Sequence, residues 1–533
     1  MATVLAVVLV WLALVAPDRL DRLSPGSLVR LPLEALVLVA VGLSLQRRAR
    51  RVTALVLGAL LGLLLIVKLL DMGFRTVFDR PFDLLNDWYY LGPGVGVLGD
   101  SIGRPAAVAV AVGAVLLAAA LVVVCCLAVV RAAGLVAAHR RPSALAGTVL
   151  GLAWILCAVA GVQVASGAAA SRSTADLAYD QLHQLRSDLA DRAAFARQIA
   201  TDAYAAPASD PSGKSLLAGL RGKDVLVVFV ESYGRVAVEG SSFSPGVDRV
   251  LDAGADRLQR AGYSLRSAFL TSPTFGAGSW LAHATLQSGL WVDSQQRYNQ
   301  LVTQRRLTLT DAFGRAGWRT VFDVPANTHD WAEGQRFYRF NKLYDSRNVG
   351  YRGPAFGYAL VPDQYTLSAF QRDELTAEPG RAPVMAELDL VSSHHPWAPS
   401  PTLVDWASVG DGSVYARKDA VDPSARAAFR DPSQVRALYG SSIEYTMGTL
   451  VSWLGTQPDP DLVLVVLGDH QPHSYVTGPR PGHDVPVTVI AHDPRVVDRI
   501  SSWGWQDGLR PDGNAPVWRM DAFRERFLAA FAR

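Results

Sequence analysis

Residues 224–232 read Asp224-Val225-Leu226-Val227-Val228-Phe229-Val230-Glu231-Ser232. An unbroken apolar run of this length is typical of a strand buried on both faces, as in a parallel sheet covered by helices. Similar runs recur along the second half of the chain, with helical stretches between them. The predicted strands are 224–230, 320–324, 384–391, 462–467 and 485–490, and the predicted helices are 248–261, 309–316 and 434–454. This alternation predicts an α/β domain with a mostly parallel sheet covered by helices.

Polar side chains follow three of these strands. Glu231 follows the first strand, His394 follows the strand that ends at 391, and Asp469-His470 follow the strand 462–467. Such sheets bind ligands at the carboxyl ends of their strands, and carboxylates with one imidazole suit Mn, Mg or Zn. Each motif alone also has a structural explanation: a helix cap for Glu231, a polar turn for Asp469-His470, and a loop with an aromatic anchor for His394.

A turn of small residues, Gly276-Ala277-Gly278, precedes Ser279 and a predicted helix over 280–286. A hydroxyl at a helix N-terminus lies where backbone N–H groups and the helix dipole favour a bound oxyanion. Taken alone, a Gly-rich turn that ends in Ser is more often just an N-cap. The three strand-end motifs favour a nucleophile that attacks phosphate.

The first 166 residues are dominated by apolar segments, at 2–16, 32–45, 53–70, 105–130 and 144–166. A membrane-spanning helix needs about 20 residues. The first two segments are short, and a signal peptide is the alternative for the first one. The basic links 46–51 and 131–141 lie in the cytoplasm if the positive-inside rule holds. Five spans with a cytoplasmic start then place everything after residue 167 outside the cytoplasm.

Composition limits the remaining function classes. The net charge of +3 is small for 533 residues, so nothing favours a nucleic-acid partner. Cys125, Cys126 and Cys157 all lie in apolar runs, which excludes a thiolate metal site or Cys nucleophile from the globular half. We predict three parts: a five-helix transmembrane region (1–167), a juxtamembrane helix and linker (168–215), and an extracytoplasmic catalytic domain (216–533).

The ordered set of motifs carries a resemblance. It consists of Glu231 after the first strand, Ser279 with Gly289 ten residues later, His394-x-Pro396, and the triplet 468–470, Gly-Asp-His. In order and spacing it resembles the alkaline phosphatase/sulfatase superfamily. The membrane branch that includes lipoteichoic acid synthase, a phosphoglycerol transferase, is the most similar. That branch also has five spans followed by an extracellular catalytic domain.

The resemblance implies roles for single residues. Ser279 would be the nucleophile, where this branch commonly has Thr. Glu231, Asp469 and His470 would bind one divalent metal ion together with the Ser279 oxygen, with Mn as the first choice and Mg or Zn as alternatives. His394 would correspond to the histidine that contacts the substrate.

Three further residues are expected to contact the substrate. Trp331 falls where the synthase has an aromatic residue that grips the glycerol phosphate, and His483 precedes a strand as a late His does in relatives. Glu333 stands where a basic residue is expected, and Arg336 or Arg339 would replace it. This departure puts the phosphoglycerol headgroup in doubt. The residues after Ser279 also lack the Pro and Arg of the sulfatase motif, which disfavours sulfate-ester hydrolysis.

The implied function is a metal-dependent phosphotransferase in a bacterial-type cell membrane. It would move a phospho-headgroup from a membrane phospholipid or lipid-linked donor to a cell-envelope acceptor through a covalent intermediate on Ser279. A hydrolase or phosphodiesterase of the sulfatase type is one alternative. A catalytically inactive membrane scaffold is another.

Overall fold

The computed structural model describes residues 1–532 except 79, 91, 93, 96–97, 99–101, 165–166, 205–215, 377–379, 418–430, 458 and 479–480. The chain divides into two compact units, Met1–Asp191 and Arg192–Arg533. The division falls within a long helix, Ser173–Ala200. The end of the predicted juxtamembrane helix and linker (168–215), residues 205–215, lies outside the described residues, and the boundaries at 167 and 215 stay predictions.

Each of the five apolar segments of the first unit contains a helix or part of one. The helices are α1 (Ala2–Val15), α2 (Leu33–Ser44), α3 (Arg47–Phe78), α4 (Arg104–Ala138) and α5 (Arg140–Val159), followed by α6 (Ser173–Ala200). Three of them, α3, α4 and α5, are long and apolar enough to cross a membrane. The helices α1 and α2 have only 14 and 12 residues, so the five-span topology stays a prediction.

A buried lysine fixes the end of α1 within this unit. Lys68 is 1% exposed, and its Nζ donates hydrogen bonds to Ala13 O (3.1 Å), Leu14 O (3.2 Å) and Thr174 Oγ1 (2.9 Å). The last carbonyls of a helix have no partner within the helix, and here a cation provides one. The helix α1 is therefore an integral part of the first unit.

The second unit is built on a nine-stranded sheet. Its strands are β1 (Asp224–Val230), β2 (Ser264–Thr271), β3 (Arg319–Val324), β4 (Lys342–Asp345), β5 (Val384–Leu390), β6 (Leu462–Gly468), β7 (Asp484–Ala491), β8 (Gln506–Asp507) and β9 (Val517–Arg519). The order is β8-β2-β7-β6-β1-β5-β3-β4, with β9 also beside β2. The five adjacent strands β6, β1, β5, β3 and β4 are parallel.

The sheet is mixed rather than parallel throughout, because β7 is antiparallel to both β6 and β2. The apolar pattern at 485–490 predicts a strand, but periodicity carries no information on direction. In the described part of the connection from β6 to β7 lies a four-residue helix, Ser474–Thr477, and Leu467 near the end of β6 pairs with Val487 near the start of β7. The start of β7 therefore lies at the same edge as the end of β6.

Helices cover both faces of the sheet. Leu226 and Val228 of β1 pack in one apolar cluster, and Val225, Val227 and Phe229 pack in another. The helices of this unit are α7 (Ser244–Arg260), α8 (Ser279–Ser288), α9 (Gln295–Val302), α10 (Leu309–Ala316), α11 (Ala332–Tyr338), α12 (Asp363–Phe370), α13 (Pro432–Leu454), α14 (Ser474–Thr477), α15 (Pro494–Asp498) and α16 (Phe523–Phe531). The first cluster includes residues of α7 and α13, and the second includes residues of α8, α10 and α16.

Asp202 is the centre of a buried ion-pair network in the second unit. The Asp202 carboxylate lies 2.9 Å from Arg524 Nη2 and 3.2 Å from Arg306 Nε, with both Arg side chains at most 3% exposed. Asp202→Asn leaves two buried guanidinium groups without this carboxylate, so we expect the free energy of unfolding to fall by about 3 kcal/mol. Denaturant titration followed by Trp fluorescence measures the free energy of unfolding.

The matched control is Asp507→Asn, which removes a 77% exposed carboxylate and should cost less than about 1 kcal/mol. Equal midpoints for the two variants would contradict the expectation.

Candidate active site

The end of β1 carries Glu231 to the carboxyl edge of the sheet. Its backbone N–H donates to Leu390 O on β5 (3.0 Å), and its carbonyl accepts a hydrogen bond from Ser393 Oγ (2.6 Å). Ser232 has φ +56°, a conformation that non-Gly residues rarely adopt. This turn directs the Ser232 N–H to Asp469 Oδ1 at 2.7 Å.

The end of β6 carries Asp469 and His470 to a neighbouring position. Gly468 is paired with Val230 in the parallel register, so the residues that follow the two strands lie side by side. A Cβ at position 468 would lie 1.9 Å from Tyr233 O, so this close approach requires Gly. Asp469 Oδ1 also accepts the His470 N–H (2.7 Å).

Ser279 is the first residue of α8. Gly278 precedes it in the left-handed region, with φ +86°, which explains the Gly at the end of the turn. Ser279 Oγ donates to Glu231 Oε2 (3.0 Å) and lies 3.3 Å from His470 Nε2. His470 Nε2 is 3.5 Å from both Glu231 Oε1 and Asp469 Oδ2. The four side chains predicted to share one ion therefore meet at one place.

These residues fit a divalent cation. Ligand atoms about 2.1 Å from a shared ion lie about 3.0–3.4 Å apart, close to the separations found here. Asp469 Oδ2 is buried and accepts no hydrogen bond from the described residues. His470 Nδ1 lies 2.8 Å from Gln471 O, which fixes Nδ1 as the protonated nitrogen and leaves Nε2 as the free ligand atom. Asp469 Oδ2 and His470 Nε2 are therefore both available as metal ligands.

The buried charges perturb one another. Burial alone raises the pKa of Glu231, but the positive charges of His394 and His470 outweigh it and hold this pKa at about 2. Burial, with the negative charge of Glu231, raises the pKa of Asp469 to about 6. Burial lowers the pKa of His470, yet the charges of Asp469 and Glu231 outweigh it, so the net shift is upward. The site thus holds more negative than positive charge when its carboxylates are ionised.

His394 stands beside this group. Its ring stacks on Tyr358 with the ring centroids 3.7 Å apart and the planes at 18°. Tyr358 is 50% exposed, so this stacked ring pair is accessible to solvent.

The other predicted substrate residues lie in different surroundings. Trp331 packs against Phe322, Tyr338 and Phe340 in an aromatic cluster, and Arg336 of α11 is exposed. His483 immediately precedes β7 and contacts Ser272 O through Nδ1 (3.2 Å). Ser272 Oγ in turn donates to Asp469 O (2.6 Å), which connects His483 to the edge that carries Asp469.

Sequence reasoning missed Tyr358 and a second polar group formed by His283, Glu387 and Asp389. A signal for the second group was present: Glu387 and Asp389 alternate with apolar residues in the strand 384–391, and His283 follows Ser279 by one helical turn. No sequence signal pointed to Tyr358, because its contact with His394 depends on the loop conformation.

No family model matches the chain, and no curated protein matches its sequence. Solved structures similar to it include the lipoteichoic acid synthase LtaP from Listeria monocytogenes, with 15% identity over 53% of this chain and 70% of that chain and a TM-score of 0.35. Another is the Streptococcus pyogenes phosphoglycerol transferase GacH in complex with sn-glycerol-1-phosphate, with 10% identity, coverage of 65% and 92%, and a TM-score of 0.36.

A third is the C-terminal periplasmic domain of EcEptC from Escherichia coli in complex with Zn, with 14% identity, coverage of 52% and 74%, and a TM-score of 0.35. At such low identities and TM-scores, the likeness assigns neither an activity nor a ligand to this chain. The lipoteichoic acid synthase and the phosphoglycerol transferase among these structures are proteins of the kind that the sequence resembles.

Proposed function

We propose that this chain is a membrane-anchored, metal-dependent phosphotransferase. It moves a phospho-headgroup from a lipid to a cell-envelope acceptor through a covalent intermediate on Ser279. One observation supports the proposal above all others: Ser279 Oγ lies 3.0 Å from Glu231 and 3.3 Å from His470, beside an Asp469 oxygen that accepts no hydrogen bond from the described residues. An inactive scaffold would not need a helix N-terminal hydroxyl to meet two carboxylates and an imidazole.

Glu231, Asp469 and His470 would hold one divalent ion together with the Ser279 oxygen, with Mn first and Mg or Zn as alternatives. When bound, the ion lowers the pKa of a neighbouring hydroxyl and neutralises phosphate charge. Glu231 orients the Ser279 hydroxyl, and the N-terminus of α8 favours the negative charge that develops on the phosphoryl oxygens.

The chemistry follows from these positions in two steps. Ser279 Oγ attacks the phosphorus of a lipid phosphodiester, so an Oγ–P bond forms as the bond from phosphorus to the diacylglycerol oxygen breaks. Glu231, which accepts the Ser279 hydrogen bond, takes the hydroxyl proton, and His394 supplies a proton to the departing diacylglycerol oxygen. An acceptor hydroxyl then attacks the same phosphorus and gives its proton to His394, while the Oγ–P bond breaks and Glu231 returns the proton to Ser279 Oγ. Each step exchanges one phosphate ester for another, so no ATP is required.

The apolar helices of the first unit support a lipid donor and a membrane location. With five spans, the catalytic unit lies outside the cytoplasm, where anionic phospholipid is the natural donor. His483 and Trp331, with Arg336, are the proposed headgroup contacts beside His394. The phosphoglycerol headgroup remains one choice among phospholipid headgroups, because Glu333 replaces the expected basic residue.

The activity is tested with the purified full-length protein, Mn²⁺ and vesicles of phosphatidylglycerol or phosphatidylethanolamine. We expect diacylglycerol to form from one of the two lipids, with the headgroup recovered on an added polyol acceptor. Diacylglycerol with only free headgroup phosphate in solution would support the alternative, a phosphodiesterase that uses water. No diacylglycerol from either lipid would contradict both phospholipid activities.

A further inference from the structure

A second polar group lies one helical turn beyond the proposed nucleophile. Its members are His283 on α8, with Glu387 and Asp389 on β5. His283 Nδ1 is 3.0 Å from Glu387 Oε1 and 3.7 Å from Asp389 Oδ1, and the three ligand atoms all lie within 4.8 Å of one another. We propose that these three side chains form a second divalent-cation site, separate from the one that contains Ser279.

The sheet register explains why the two groups lie on one face. Asp389 pairs with Phe229, and Glu387 pairs with Val227. Side chains alternate along a strand, so the face that carries Phe229 continues to Glu231. The His283 ring stacks on Phe229, with the centroids 3.8 Å apart and the planes at 10°. The second group therefore lies one layer below the first on the same face.

The donor set has the composition of a cation site. Two carboxylates and one imidazole match the ligands proposed for the first site apart from its Ser279 oxygen, and they suit Mn or Zn. Glu387 is 1% exposed and is oriented by Gln287, whose Nε2 donates to Glu387 Oε2 at 2.6 Å. This contact to the far oxygen leaves Oε1 directed at His283, as a hydrogen bond behind a metal ligand does.

An unpartnered atom provides an independent observation. Asp389 Oδ1 is buried and accepts no hydrogen bond from the part of the chain that the structure describes. A buried carboxylate oxygen without a donor is costly unless it is neutralised or binds a cation. His283 Nδ1 lies 3.7 Å from this oxygen, beyond hydrogen-bond distance, so the imidazole does not satisfy it.

The two groups together contain more negative than positive charge. They contain four carboxylates, Glu231, Asp469, Glu387 and Asp389, against the two imidazoles of His283 and His470. Even with both imidazoles protonated, the ionised set carries two excess negative charges in a buried place. A dication in each group removes this excess, and it requires neutral His283, so binding releases a proton.

Metal stoichiometry tests the proposal without any assay of turnover. The full-length protein is stripped with a chelator, equilibrated with Mn²⁺, freed of unbound metal and measured by plasma mass spectrometry. We expect two ions per chain for the wild type and one for Glu387→Gln or Asp389→Asn. The matched control is Asp224→Asn at the start of β1, a carboxylate that is 3% exposed and pairs with Arg381 at the opposite edge of the sheet. It should retain two ions.

The first site serves as the internal reference. Glu231→Gln should also retain one ion, and the double variant Glu231→Gln/Glu387→Gln should retain none. One ion in the wild type, unchanged by Glu387→Gln and Asp389→Asn, would overturn the proposal and leave His283 as a protonated partner of two carboxylates. This result is independent of whether diacylglycerol is formed, so the two proposals fail separately.

If the variants do not fold, electron paramagnetic resonance of Mn²⁺ bound to the wild type shows whether two ions lie close together. Residues one helical turn apart are separated by about 6 Å, so ions in the two groups would be magnetically coupled. A coupled-pair spectrum supports the second site. A spectrum of isolated Mn²⁺ at saturation contradicts it.

Discussion

Ser279→Ala is expected to reduce turnover by a factor of about 10³ or more while leaving the fold intact. The change removes one oxygen, which in this structure contacts Glu231 and His470. Without it no Oγ–P bond can form, and a loss of this size corresponds to about 4 kcal/mol of transition-state stabilisation. Initial rates of diacylglycerol release measure the effect.

Two variants control for this substitution. Ser279→Thr retains a hydroxyl at the N-terminus of α8 and should keep measurable turnover. Ser267→Ala removes a buried hydroxyl that has no hydrogen-bond partner among the described residues, so turnover and stability should be unchanged. Turnover of Ser279→Ala within tenfold of the wild type would remove Ser279 from the mechanism.

Asp469→Asn is expected to abolish metal binding at the first site and to reduce turnover about as strongly as Ser279→Ala does. Asp469 Oδ1 is held by the N–H groups of Ser232 and His470, so the amide oxygen of Asn would take that position. Its NH₂ group would then replace Oδ2, the atom directed at the proposed ion. A donor in place of an anionic ligand removes both the charge and the lone pair that bind the metal. Calorimetric titration with Mn²⁺ measures the loss, and unchanged affinity would contradict the assignment.

The same variant has a predicted pH signature in metal-free protein. Burial and Glu231 raise the pKa of Asp469 to about 6, above the unfolded value of about 3.9. A raised carboxyl pKa stabilises the fold below the unfolded pKa, and this contribution is lost as the pH rises through the folded pKa. Metal-free wild type should therefore lose stability between about pH 4 and pH 6, and metal-free Asp469→Asn should lose less. Identical melting profiles would contradict this coupling.

The strand-end residues could be predicted because two simple rules apply to them. Continuous apolar runs such as 224–230 and 462–467 identify buried strands, and adjacent parallel strands end at the same edge. Glu231 and Asp469 are therefore neighbours although 238 positions of chain separate them. The convergence of Ser279 on them needed the resemblance, because nothing in the local sequence tells a nucleophile from an N-cap.

Other features depend on tertiary structure that no local pattern contains. The direction of β7 depends on where the connection from Asp469 returns, and its apolar residues fit either direction. Trp331 packs in an aromatic cluster because Phe322 and Phe340 are brought to it by the sheet. The group of His283, Glu387 and Asp389 combines a helix with a strand about 100 residues away. The spacing of each part is visible in the sequence, but their meeting depends on the fold.

The covalent intermediate on Ser279 can be tested directly by mass spectrometry. The Mn²⁺-loaded protein is mixed with phosphatidylglycerol or phosphatidylethanolamine and quenched rapidly in acid, and the mass of the peptide that contains Ser279 is measured. We expect a peptide heavier by the headgroup phosphate minus water, with fragmentation assigning the addition to Ser279, and no such peptide from Asp469→Asn. Full diacylglycerol release with an unmodified Ser279 peptide at every quench time would contradict it.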